Sequence, residues 1–134
     1  MNIRGQFLRF SGVGVIGFVV DSSALYISLY LLKLDLYEGR VLSYFFAATV
    51  TWYLNRIFTF TSANAAAPTK QWGRFLLTNG IGGFVNYGAY VLVIMLTPST
   101  TLTPLFSVAV GSLAGLGFNF TASRLFVFND ASTN

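Results

Sequence analysis

Three glycines and one acidic residue near the start of the chain form the first pattern that could do chemistry. Gly12, Gly14 and Gly17 spell G-x-G-x-x-G, and Asp21 follows four residues later. In a dinucleotide site this pattern follows a strand, opens a helix and has its acidic residue about 20 positions further on. Here the glycines and Asp21 lie inside a nearly unbroken apolar run over residues 10–32. The pattern therefore argues against a dinucleotide site and favours glycines that make room for a neighbouring helix beside the carboxylate.

Asp21 is the first candidate for a functional group. It lies 12 residues beyond Arg9, about 18 Å along a helix, near the middle of a hydrocarbon core about 30 Å thick. A carboxylate at that depth costs at least about 2.5 kcal/mol, and such residues mark substrate or proton paths facing a bundle interior or a watery cavity. The alternative is a structural Asp21, protonated and hydrogen-bonded across helices, for instance to Asn86.

Four arginines form a second candidate group. They lie at matching ends of four apolar segments, so folding would gather them around one mouth: Arg9, Arg56, Arg74 and Arg124. Guanidinium binds phosphate through paired hydrogen bonds, which points to a phosphate-bearing lipid. Arginine at an interface also anchors helices to lipid phosphate without specific binding, and both roles stay open.

The composition indicates the environment in which these groups act. Of 134 residues, 54% are hydrophobic and only 9% are charged, whereas soluble domains carry about 25% charged residues. The chain is therefore predicted to be an all-α integral membrane protein. It has no cysteine and no histidine, which removes disulfides, the usual zinc sites and Ser-His or Cys-His catalysis. We expect no enzymatic activity, no cofactor, no metal and no nucleic-acid partner.

Four apolar segments are close to the roughly 20 residues that a spanning helix needs. They cover residues 10–32, 41–58, 75–96 and 105–126. Short loops over 33–40 and 97–104 join them in pairs, and a small-residue linker over 61–72 joins the pairs. We expect a single domain over 1–134, with one half at about 8–60, a cytoplasmic linker at about 61–72, a second half at about 73–128 and a polar tail at 129–134.

Basic residues predict the orientation of the spans. Six of the eight lie at the termini and the central linker, namely Arg4, Arg9, Arg56, Lys70, Arg74 and Arg124. Only Lys33 and Arg40 lie in the two short loops. The positive-inside rule therefore predicts that both termini are cytoplasmic.

The two halves are related in sequence. At an offset of 65, Arg9, Phe10, Gly14, Gly17 and Asp21 correspond to Arg74, Phe75, Asn79, Gly82 and Asn86. At an offset of 68, NRIFTF from Asn55 lies over SRLFVF from Ser123. Each half has two spans and enters the membrane in the same direction, which predicts two parallel-repeat helix pairs with a pseudo-twofold axis along the membrane normal. Since Asn86 matches Asp21, we expect Asp21→Asn to leave folding nearly intact.

Small and polar residues mark the inward faces of the second and fourth segments. They recur every four residues as Ser43, Ala47, Thr51 and Asn55, and as Gly111, Gly115, Asn119 and Ser123. These stripes favour close helix contacts first. Asn55 and Asn119 are polar enough to line a site as well.

Three motifs together resemble the GtrA-like family over residues 8–128. They are F-x-x-x-G-x-x-G-F-x-x-D ending at Asp21, N-R-x-F-T-F from Asn55, and R-x-F-V-F from Arg124. The resemblance implies a bacterial inner-membrane protein that moves polyprenyl-phosphate-linked sugars to the outer leaflet for cell-surface polysaccharide synthesis or glycosylation, or that assists a membrane glycosyltransferase. It assigns motif roles to Asp21, Asn55, Arg56 and Arg124. Ser123 stands where a second Asn would strengthen the repeat.

These observations predict a transport mechanism with alternating access, and two alternatives stay open. The arginine mouth would capture the lipid phosphate, Asp21, Asn55, Asn86 and Asn119 would line a path for sugar hydroxyls, and rocking of the halves would alternate access. One alternative is a non-transporting subunit that supports a glycosyltransferase; another is a small proton-coupled exporter of cations, which the arginines disfavour. Besides membrane lipids, we expect a second copy as a partner, because four short helices enclose little space.

Overall fold

The computed structural model describes residues 2–61 and 67–128, which form four long helices. Helix α1 spans Ile3–Tyr30, α2 Leu36–Leu54, α3 Pro68–Leu96 and α4 Thr103–Ala122. Helices α2 and α4 continue into five-residue π-helical segments, π1 at Asn55–Thr59 and π2 at Ser123–Val127. The described residues contain no strand, and the prediction of an all-α membrane protein is confirmed.

Polar residues define where the first two helices begin. Asn2 Oδ1 accepts a hydrogen bond from the Gly5 amide at 2.8 Å. Asp35 Oδ1 accepts hydrogen bonds from the amides of Tyr37 and Glu38, both at 2.8 Å, which caps α2. The loop predicted over 33–40 is therefore too long, because α2 begins at Leu36.

The third helix begins earlier than the third apolar segment. Pro68 is its first residue, a position where the missing amide hydrogen of proline costs no hydrogen bond. The last part of the predicted linker is thus helical. Residues 62–66 of that linker and the predicted tail over 129–134 lie outside the described residues.

Three of the four predicted spans are long and apolar enough to cross a membrane: Ile3–Tyr30, Pro68–Leu96 and Thr103–Val127. Helix α2 is less apolar because its first turns carry Glu38 and Arg40 and its later turns carry tyrosine, threonine and tryptophan. The polar Arg40 is nevertheless buried inside the bundle.

The helices pack as two pairs, α1 with α2 and α3 with α4, and the pairs meet mainly along α1 and α4. The same close approach occurs within each pair. A Cβ at Gly17 would overlap Thr51 Cγ2. A Cβ at Gly82 would overlap Asn119 Oδ1. Gly82 and Asn119 match Gly17 and Thr51 at the sequence offsets, so these two glycines are required for equivalent helix contacts.

Two hydrophobic clusters fill the bundle. The aromatic cluster lies near the end that carries the arginines and consists of Phe10, Ala48, Phe60, Phe75, Phe120, Val127 and Phe128. The Leu25 cluster lies toward the other end and consists of Leu25, Tyr90 and Val108. Phe60 and Phe128 stack at 4.4 Å between ring centroids, which places equivalent residues of the two halves face to face.

Candidate functional site

A cavity of about 360 Å³ lies between the two halves. The aromatic cluster bounds it at one end, and the Leu25 cluster lies beyond its other end. Four predicted site residues from all four helices or their π-helical extensions line it: Asp21, Asn55, Asn86 and Asn119. Carboxylate and amide side chains therefore converge on one space inside an apolar bundle.

We infer that the cavity opens sideways between α1 and α4, because its exposed lining side chains lie on these two helices. Val15 of α1 and Leu113 of α4 line it and are 65% and 73% exposed. The lining residues of α3 are buried. In a membrane, an opening between two helix flanks faces the hydrocarbon of the lipid.

Asp21 forms a buried ion pair with Arg40. Arg40 Nη1 donates to Asp21 Oδ1 at 2.5 Å, and the side chains are 0% and 5% exposed. The Arg40 guanidinium also lies 5.6 Å from the ring centroid of Tyr44 and 5.2 Å from that of Tyr90. The pair provides the compensation that a carboxylate at this depth requires.

The placement of Arg40 in a loop was wrong. Asp35 followed by Glu38 is an acidic helix-start signal, and it indicates a helix beginning at Leu36. Arg40 then falls in the second turn of α2, directed into the bundle. This signal is present in the sequence, and it places Arg40 in a helix rather than in the loop predicted over 33–40.

Asn86 belongs to the same network. Arg40 Nη2 donates a hydrogen bond to Asn86 Oδ1, and Arg40 Nη1 lies 3.3 Å from Ser43 Oγ. Arg40 therefore bridges the carboxylate of α1 and the amide of α3. The alternative in which a protonated Asp21 bonds directly to Asn86 does not match this arrangement.

The other two amides differ in their hydrogen bonding. Asn55 is 1% exposed, and its Oδ1 accepts a hydrogen bond from Thr59 Oγ1 at 2.8 Å. Asn119 Oδ1 is buried and has no hydrogen-bond partner among the described residues. A buried carbonyl without a donor is costly, and this oxygen packs against Gly82 of α3, where a Cβ would overlap it.

The four predicted arginines lie together at one end of the bundle but do not line the cavity. Arg9 Nη1 donates to the Phe58 carbonyl at 3.0 Å, and Arg74 is exposed. Arg56 Nη1 donates to Gln71 Oε1 at 2.6 Å, and Arg124 Nε donates to Gln6 Oε1 at 3.0 Å. The sequence analysis missed both glutamines, although they obey the offset of 65.

A protein-family model described as GtrA/DPMS, transmembrane domain, matches residues 9–133. The chain belongs to this family. The match covers α2, α3 and α4 and the part of α1 from Arg9 onward, and it includes every site residue predicted from the sequence, so the GtrA resemblance is confirmed. Membership associates the GtrA/DPMS chain with the handling of polyprenyl-linked sugars. No match was found among curated proteins or among solved structures.

Proposed function

We propose that the protein moves a polyprenyl-phosphate-linked sugar from the cytoplasmic to the outer leaflet of a bacterial inner membrane, for cell-surface polysaccharide synthesis or glycosylation. In this proposal all four helices span the membrane as two parallel-repeat pairs, and both termini are cytoplasmic. The observation that carries the proposal is the cavity, which has amide and carboxylate groups inside and an apolar opening between α1 and α4.

The lateral opening suits a molecule with one polar and one apolar end. A hydroxyl moved from water to hydrocarbon without a hydrogen bond costs about 4–8 kcal/mol, so a sugar needs partners along its route. The amide side chains of Asn55, Asn86 and Asn119 line the cavity and provide such partners. The polyprenyl chain can remain in lipid, passing between Val15 and Leu113.

The charge state of the cavity favours this substrate over a cation. Asp21 is already paired with Arg40, so the charges of the two side chains compensate each other. A proton-coupled exporter of cations needs a carboxylate that exchanges between proton and substrate. The Arg40 pairing therefore disfavours that alternative.

Transport in liposomes tests the proposal. The assay follows the appearance of a polyprenyl-phosphate hexose in the opposite leaflet, with and without the protein. We expect the wild-type protein to accelerate this step and Asn119→Ala to slow it about tenfold, the effect of losing roughly one hydrogen bond. Thr121→Ala is the matched control, because Thr121 is exposed on the same helix and does not line the cavity.

No acceleration over protein-free liposomes would contradict transport. If the protein still bound the lipid-linked sugar, that result would favour a membrane subunit that presents the lipid to a glycosyltransferase. Such a subunit needs a binding cavity but no route across the bilayer.

A further inference from the structure

Two hydrogen bonds at the arginine end connect the halves reciprocally. Arg56 of the first half donates to Gln71 of the second, at 2.6 Å. Arg124 of the second half donates to Gln6 of the first, at 3.0 Å. The glutamines correspond at the offset of 65 and the arginines at the offset of 68. The same hydrogen bond between the two halves therefore occurs twice, at positions related by the internal repeat.

These two hydrogen bonds lie at the arginine end of the bundle, where the two halves are in contact. Gln71 is 1% exposed and Arg56 is 9% exposed, so one link is buried. Both arginines belong to π-helical segments, a distortion often found at functional sites. Phe60 and Phe128, which directly follow those segments, stack against each other. The links and the stacked rings therefore join the two halves at the arginine end of the bundle.

We propose that Gln6 and Gln71 hold this end closed through exchangeable links, and that a lipid phosphate opens it by replacing their amide oxygens as the acceptor for Arg124 and Arg56. The inference rests on the proposed function and states what controls the opening of the arginine end. A phosphate offers guanidinium several anionic oxygens that accept paired hydrogen bonds and add charge attraction, whereas an amide offers one neutral oxygen. Phosphate is therefore the stronger competitor for both arginines.

The exchange would couple capture of the substrate to separation of the halves. A ligand shifts a conformational equilibrium only if it binds one state better. In the closed state the amide oxygens of Gln71 and Gln6 occupy donors on Arg56 and Arg124, whereas in the open state these donors are available. Phosphate therefore favours the open state, and the end stays closed in its absence.

Distance measurements between the halves test the exchange. The chain has no cysteine, so spin labels can be attached at Leu8→Cys on α1 and Leu77→Cys on α3, which are 71% and 82% exposed. The probes are farnesyl phosphate, farnesol and inorganic phosphate. We expect farnesyl phosphate to lengthen the distance and farnesol to leave it unchanged. Lengthening by inorganic phosphate as well would support recognition of the phosphate group alone.

Paired variants separate competition from simple support of the arginines. The Gln6→Ala/Gln71→Ala protein should show the long distance without ligand and bind farnesyl phosphate about tenfold more tightly, because the two amide oxygens no longer compete with the phosphate. The Gln6→Glu/Gln71→Glu protein should keep the short distance and bind about tenfold more weakly, because its carboxylates pair with the arginines. Lys70→Ala is the control, since Lys70 is an exposed basic residue next to Gln71.

The outcomes distinguish the exchange from the proposed function. Binding of farnesyl phosphate no better than farnesol by the wild-type protein would overturn both. Normal binding that the Ala variant weakens or leaves unchanged would overturn the exchange alone, as would lengthening caused by farnesol. Unchanged affinity in the Glu variant would also overturn it.

Discussion

At the residue scale, the centre of the bundle depends on one carboxylate and one guanidinium buried together. Arg40 Nη1 lies 2.5 Å from Asp21 Oδ1, and both side chains are almost completely buried. Removing one member of a buried ion pair leaves an uncompensated charge, whereas replacing both members with neutral groups is often tolerated. Asp21 therefore stabilises the folded bundle in addition to any role toward substrate.

The first prediction is that Asp21→Asn destabilises the protein by about 3–5 kcal/mol, contrary to the expectation drawn from Asn86 in the other half. The two expectations differ because Asn86 matches Asp21 in sequence, whereas Arg40, the ion-pair partner of Asp21, has Val108 as its counterpart. Asp21→Asn combined with Arg40→Met should recover most of the loss. Thermal unfolding in detergent and abundance in the membrane measure both effects. Wild-type stability of the single variant would contradict the prediction.

The same double variant tests whether the charge pair also serves transport. We expect a folded protein that no longer delivers the lipid-linked sugar, because Asp21 and Asn86 line the cavity and Arg40 orients both. The liposome assay on the purified double variant gives the answer. Normal delivery would restrict Asp21 and Arg40 to stability.

Sequence reasoning found part of this site. The depth of Asp21 could be calculated from helix geometry, and the repeat related the polar positions that converge on the cavity. The unpartnered oxygen of Asn119 could not be foreseen, because hydrogen bonding depends on side-chain packing across helices. Gln6 and Gln71 lacked any signal except the offset, since an uncharged residue near a helix start has many ordinary roles.

At the element scale, close contacts between α1 and α2 and between α3 and α4 establish each half. The glycines near the start of the chain contribute unequally to these helix contacts. A Cβ at Gly12 would meet nothing within 4 Å, whereas one at Gly17 would overlap Thr51 Cγ2. Only Gly17 is therefore sterically required among these two.

The second prediction follows from that contact. Gly17→Ala should destabilise the protein by about 1–3 kcal/mol through overpacking. Adding Thr51→Ser removes the methyl group that the new Cβ meets, so it should restore much of the stability. Gly12→Ala is the control and should be neutral or slightly stabilising. Unfolding curves are measured for the wild type, Gly17→Ala, Gly17→Ala/Thr51→Ser and Gly12→Ala. A double variant no more stable than Gly17→Ala would contradict the prediction.

Helix existence was more predictable than helix detail. Apolar length identified α1, α3 and α4, because nearly every turn faces lipid or the core. Helix α2 is poorer in apolar residues because it carries the buried arginine, and its first residues were assigned to a loop. The π-helical segments could not be foreseen, since backbone hydrogen-bond register responds to packing rather than to local propensity.

At the scale of the whole molecule, the third prediction concerns orientation. The six basic residues at one end predict that this end is cytoplasmic. Thr69 and Ser99 are exposed near opposite ends of α3. Thr69→Cys should react with an impermeant maleimide only from the cytoplasmic side, and Ser99→Cys only from outside. Labelling of both from the same side would contradict the arrangement.

The measurement that tests the central claim most directly is transport with the lateral opening closed by a cross-link. Val15→Cys and Leu113→Cys introduce one thiol on each rim of the cavity, and a short cleavable bis-maleimide joins them. The two single variants treated with the same reagent are controls. We predict that the cross-linked protein loses delivery of the polyprenyl-phosphate-linked sugar and regains it when the linker is cleaved. Undiminished delivery while the cross-link is intact would contradict a route through the opening between α1 and α4.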